Sequence, residues 1–323
     1  MPSPSSTRSA RPGGARPTPL VIDCDPGIDD AVGLAMAVGS PEIELRGVTT
    51  VTGNVAVALA TDNALRLLET FGRPDVPVAA GATRGIARTK PEHAAIHGLN
   101  GVGGVELPEP RGRPRPEHAV EFLAGVLREA APHTVTIAAI GPLTNLALLT
   151  TLHPELTSRI DRVVMMGTTS GPGNVTPVSE YNVWAYPEAA QRVLVGSGLS
   201  ICVVELAVTR RATLDDTQLA RLRAGSVRGA LLADMVGGYA NDAPKGLRAL
   251  HDAVVLAAIA EPGLLLTRPA TVEVDTGTGD TRARTTFTPA AAGGVDADVQ
   301  LAVDLDVERF RALVFERVAV PPS

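Results

Sequence analysis

The chain has 323 residues, 29 basic and 35 acidic side chains, a formal net charge of −6 and 45% apolar residues. That balance is ordinary for a globular protein whose core needs no staples, and only two cysteines, Cys24 and Cys202, exclude a disulfide framework and fit a reducing, cytoplasmic compartment. No apolar run approaches a membrane span, since Ala253 to Ala260 stops at Glu261, and the acidic balance without a Lys/Arg cluster argues against a nucleic-acid partner.

Residues 1–18 carry Pro, Ser, Gly and Arg with no apolar period and read as a disordered tail, without the apolar stretch of a secretory signal. Residues 19–323 read as one domain with no internal repeat. LVID is a short apolar run fit for a buried strand, and 29–38 reads as a helix opening on two acids. A strand over 44–51 precedes a helix over about 55–71, and TVTIAAI (134–140) precedes a helix from about residue 143. RVVMMG (162–167) leads into a long loop, a helix covers 187–196, and LSICVVEL (199–206) is strand-like. Helical stretches follow near 213–240 and 251–260, then strand-like TVEVDT, RARTTFT and VQLAVDL, and a last helix near 306–317. Strands alternating with helices predict an α/β fold, a mostly parallel, doubly wound, Rossmann-like sheet with helices on both faces. Ligands then bind beyond the carboxyl ends of the strands, so functional residues should follow each strand-like run.

The first strand runs into Asp23-Cys24-Asp25-Pro26-Gly27-Ile28-Asp29-Asp30. Four carboxylates within eight residues repel one another, and the start of the next helix only partly offsets that. A bound cation is the natural counter-charge, and all-oxygen donors select Ca²⁺ or Mg²⁺. An Asp-Asp pair at a helix start is by itself more often a cap. The EF-hand pattern fails, because Ile28 stands where that loop needs Gly and Leu34 where it needs Glu. A phosphatase with Asp23 as nucleophile is a further alternative, although such sites usually continue with a Thr- or Val-containing turn rather than Pro-Gly-x-Asp-Asp.

IDCDPGIDDA closely resembles the N-terminal signature of the nucleoside hydrolase family of the inosine-uridine preferring type. The resemblance runs from about Leu20 to Phe315 through VTTVTGN, IHGLNG, AAIGPLTNLA, GNVTPVSEYN and LHDAVV. It departs at Tyr186-Pro187, at Gly167-Thr168-Thr169-Ser170 and at Ala207-Val208-Thr209, none of them a metal or ribose position. The resemblance implies the nucleoside hydrolase fold and a Ca²⁺-dependent enzyme of purine or pyrimidine salvage, homodimeric or homotetrameric, that splits ribonucleosides into ribose and free base. It implies Asp25, Asp30, Asp252 and the Ile140 carbonyl as metal ligands. It assigns Asp25 as general base, Asn54 to steady the cationic sugar and His251 as proton donor at the leaving base. Asp29, His97, Asn174, Glu180 and Asn182 fall to the substrate. Trp184, the single tryptophan, stays outside the predicted site as a core or interface residue. A different class of reading is a non-catalytic relative that binds a ribosyl ligand; the acid–base pair is what such a binder would not need.

Overall fold

The computed structural model describes residues 16–87, 94–241, 243–290, 297 and 299–318. Residues 1–15 of the predicted tail lie outside the described residues, and Thr18 already opens the first strand. The first half runs β1 (Thr18–Cys24), α1 (Ile28–Val38), β2 (Ile43–Thr50), α2 (Val57–Thr70), β3 (Val78–Ala80), α3 (Ala94–His97), α4 (Ala119–Glu129), β4 (Val135–Ala139) and α5 (Thr144–Leu152). There follow β5 (Ile160–Met166), α6 (Tyr181–Ala185), α7 (Pro187–Leu194), β6 (Ile201–Val204), α8 (Leu206–Thr209), β7 (Thr213–Asp215), α9 (Asp216–Gly225) and α10 (Val227–Gly237). The chain closes with β8 (Leu247–Ala249), α11 (His251–Ala260), β9 (Leu265–Val274), β10 (Thr285–Pro289), β11 (Val299–Leu305) and α12 (Val307–Val318).

Nine strands form one sheet in the order β10-β9-β11-β6-β5-β4-β1-β2-β3 among the described residues. Every pairing from β3 to β11 is parallel, and only β9 runs against both its neighbours. The sequence pattern shows why. Along β1, Leu20, Ile22 and Cys24 enter one core while Val21 enters the other, and β5 splits Val164 and Met166 from Val163 and Met165 in the same way. A strand apolar on both sides must be covered on both faces, which a parallel sheet with crossover helices provides. One face carries α1, α2, α10, α11 and α12, and the other α4, α5 and α7.

Two local expectations need correction, and two elements lie outside what the sequence reading covered. The helix read near 213–240 is two helices behind a short strand: β7 pairs antiparallel with β8, and Ser226 breaks the run by capping α10, its hydroxyl accepting from Gly229 N–H at 2.9 Å. In RARTTFT the strand starts only at Thr285, because Ala283 adopts φ +68° in the turn. The three-residue β3 and the helix α4 behind a Pro/Arg-rich stretch were not expected at all.

Candidate active site

The chain leaves β1 at Cys24 and enters α1 through Asp25-Pro26-Gly27. Asp30, the third residue of α1, turns back on this turn: its Oδ2 accepts from Gly27 N–H at 2.9 Å and its Oδ1 from Asp25 N–H at 3.3 Å. Its carboxylate thus satisfies donors that the helix leaves open. Asp25 is held from the next strand end, where Asn54 N–H donates to its Oδ2 at 2.6 Å and Asn54 Nδ2 reaches Asp30 Oδ2 at 3.3 Å. Backbone closes on Asp25 from two sides. A Cβ on Gly53 would stand 1.9 Å from Asp25 Oδ2, and one on Gly141 would stand 2.8 Å from Oδ1, so both positions need glycine. Gly53→Ala should therefore push Asp25 from its place; displacement of a reacting group by about 1 Å lowers kcat by about 10²-fold. Steady-state kinetics beside a circular-dichroism check of folding measures this, and unchanged kcat would contradict it.

Asp252 arrives from the far end of the chain, at the second position of α11, which packs along α1. Carboxylate oxygens of Asp29, Asp30 and Asp252 lie within 4.8 Å of one another, and all three residues are buried. Burial, with the charge of Asp29 close by, raises the carboxyl of Asp30, and burial with the charges of Asp29, Asp30 and Asp25 raises that of Asp252 well above the usual range. Such a cluster is strongly repulsive by itself, and its donors are oxygen only, so these residues fit a hard divalent cation. Asp29 differs from the other two, because its Oδ1 already accepts from Tyr239 O–H at 3.2 Å.

The cluster opens into a cavity of about 280 Å³ whose lining mixes polar side chains with apolar ones such as Ile96, Met166 and Val175 and, among the described residues, holds no Lys or Arg. Asp29, Asn54, His97, Ile140, Asn174, Glu180, Asn182, His251 and Asp252 all line it, while Asp25 and Asp30 stand behind its wall. Ten of the eleven predicted residues are buried or nearly so; Asn174 is exposed at the rim. Glu180 caps α6, taking N–H bonds from Asn182 and Val183 and from Thr168, and its burial pushes the carboxyl up to about 7 against those bonds. Asn182 Nδ2 donates to the Ile140 carbonyl at 3.1 Å and to Met166 O at 3.2 Å, which fixes one lone pair of the Ile140 carbonyl. His97 Nδ1 accepts from Ile28 N–H at 3.1 Å and its ring lies 5.2 Å from that of Tyr239. His251 Nδ1 lies 2.8 Å from Thr209 Oγ1.

Sequence reading missed Tyr239, Asn241, Tyr181 and Met166, which also line the cavity. Tyr181 stands inside GNVTPVSEYN and Met166 inside RVVMMG without a role assigned to either, and Tyr239 follows two glycines in a loop that reads as a helix end. Trp184 packs on the Tyr181 ring at 6.2 Å and Tyr186 is buried in the second core; neither lines the cavity. Asp23 lies in the sheet, its Oδ1 accepting from Thr49 Oγ1 and Asn145 Nδ2. Burial lifts its carboxyl to about 6, and its Oδ1 is taken up by two donors inside the sheet, an arrangement that suits a structural carboxyl rather than the nucleophile of a phosphatase. Between it and Asp25, the buried Cys24 thiol is driven well above its ordinary pKa, first by burial and then by the surrounding carboxylates.

An α/β sheet with a carboxylate cluster and a cavity beyond the carboxyl ends of its strands is the small-molecule site arrangement of the doubly wound class. The profile of the inosine-uridine preferring nucleoside hydrolases matches residues 20–312. The non-specific ribonucleoside hydrolase RihC of Klebsiella pneumoniae is 39% identical over 305 residues, covering 94% of this chain and 99% of the relative. The pyrimidine-specific ribonucleoside hydrolase RihA of Photobacterium profundum is 37% identical over 308 residues, covering 93% and 98%. Among solved structures, the purine-preferring ribonucleoside hydrolase from Gardnerella vaginalis superposes with a TM-score of 0.86 at 31% identity, covering 93% of this chain and 98% of that one. The chain belongs to the inosine-uridine preferring nucleoside hydrolase family, enzymes that hydrolyse N-glycosidic bonds. Among the described residues no helix is long and apolar enough to cross a membrane.

Proposed function

We propose that this chain is a Ca²⁺-dependent ribonucleoside hydrolase of cytoplasmic nucleoside salvage, cleaving the C1′–N bond to give ribose and free base. The observation that carries the reading is the buried carboxylate cluster opening into a cavity that, among the described residues, has no basic side chain. Asp25, Asp30, Asp252 and the Ile140 carbonyl are the residues assigned to the ion, and Asp29, already engaged by Tyr239, is assigned to the ribose 2′-hydroxyl. When bound, the ion supplies positive charge that anchors the sugar diol and acidifies water.

The remaining chemistry falls to side chains. Water adds through oxygen to C1′, its proton goes to Asp25, and the C1′–N electron pair leaves with the base. The Asn54 amide faces the sugar as positive charge develops there. Asn174, Glu180 and Asn182 hold the 3′- and 5′-side hydroxyls, so the reacting bond is oriented before it breaks. His251 gives its proton to the departing base.

Metal-stripped protein should release ribose from uridine or inosine only after Ca²⁺ is restored, and equal release in excess chelator would defeat the reading. His251→Ala should slow purine and pyrimidine nucleosides unequally, by about 10²-fold or more for the base that depends more on protonation. Small, equal losses on inosine and uridine would remove the proton-donor role.

A further inference from the structure

We propose that Thr209 is a positioning residue for His251, and that the single turn of α8 ties the sugar-side loop to the base-side proton donor. The proposal rests on His251 being that donor. Thr209 and His251 are both buried, and the 2.8 Å contact commits Nδ1 of the imidazole to the hydroxyl. Because the two ring nitrogens have separate duties, fixing Nδ1 assigns Nε2 to the cavity that His251 lines. Thr209 Oγ1 suits a proton-donating ring, since it accepts from Nδ1–H while Nε2–H serves the base.

The turn carrying Thr209 is itself braced. Glu205, at its start, is buried and accepts from Ser170 N–H at 2.7 Å and Ser170 Oγ at 2.8 Å. Arg210, just past its end, donates to the carbonyls of Pro172 at 2.7 Å and Gly173 at 3.1 Å. Leu206 N–H donates to the Thr168 carbonyl at 3.2 Å, and Thr168 N–H in turn holds Glu180 Oε2 at 3.0 Å. Thr168 sits at φ +74°, a conformation rare for a β-branched residue, and these bonds on both sides of its peptide keep it there. One short helix therefore connects Glu180, on the ribose side, with His251, on the base side.

The test compares uridine with 4-nitrophenyl β-D-ribofuranoside, whose phenolate departs without a proton. Thr209→Val should lower kcat on uridine about tenfold, the worth of one hydrogen bond, with KM little changed. Turnover of the aryl riboside should change by no more than about twofold. Thr209→Ser should restore uridine turnover, and Thr209→Val should add nothing in a His251→Ala background. Thr209→Ala repeats the measurement if the valine variant does not fold. Equal losses on both substrates, additivity with His251→Ala, or no rescue by serine would overturn the proposal. If His251→Ala itself slows both substrates alike, the proton-donor reading falls; if it discriminates and Thr209→Val does not, that reading stands and the positioning role falls.

Discussion

Asp25→Asn should lower kcat on uridine and inosine by about 10³-fold or more, because the variant loses the group that takes the proton from water. It should also lose calcium affinity, which titration calorimetry reads independently of turnover. The variant should still fold. The asparagine oxygen can accept the Asn54 N–H bond, and the close backbone approach at Gly53 and Gly141 suits a side chain of the same size. In the absence of metal it should melt at or above the wild-type temperature, since the Asp25 charge that acts on buried Asp252 is removed. Activity and stability are thus expected to move in opposite directions. Near-normal turnover by Asp25→Asn would refute the assignment of the base.

The second large effect joins pH to metal. Burial raises the carboxyl of Glu180 from 4.5 to about 7 and that of Asp23 from 3.8 to about 6, and it raises Asp30 and Asp252 as well. Below their unfolded values these groups are protonated in both states, and their contribution to stability is fully present. As pH rises towards the folded values the unfolded chain has already released its protons, so the metal-free fold loses about 1.4 kcal/mol per unit for each group until the folded values are passed. Metal-free protein should therefore show a Tm that falls between pH 5.5 and 7.5. Calcium competes with protons for the Asp30 and Asp252 carboxylates, so the rise in Tm that it brings should be larger at pH 7.5 than at pH 5.5. Equal calcium-induced shifts at the two pH values would show that these carboxylates do not hold the ion.

What the sequence displays depends on whether a feature is local. The Asp25, Asp29 and Asp30 group is contiguous and carries its own electrostatic conflict, so its chemistry can be read from eight residues. The alternation of apolar strands and helices is legible for the same reason, because strands such as β1 and β5 are apolar on both faces. Asp252 and His251 lie more than 200 residues away, and only family resemblance places them in the site before the fold brings α11 beside α1. Tyr239 and Asn241 have no local signature at all. Their place is set by where α10 ends, and polar residues in a Gly-rich loop look like any other surface turn. The short β7 was hidden because residues 213–215 fall inside the stretch read as helical near 213–240, and Asp215 both ends β7 and caps α9.

Cys24 has a chemical consequence beyond packing. Alkylating agents and peroxides attack the thiolate, and this sulfur sits where an anion is suppressed by its surroundings and solvent does not reach. Cys202, pushed up to about 11, shares that inertness. A sulfur next to the site aspartates is thereby held as an unreactive thiol rather than a redox-active thiolate.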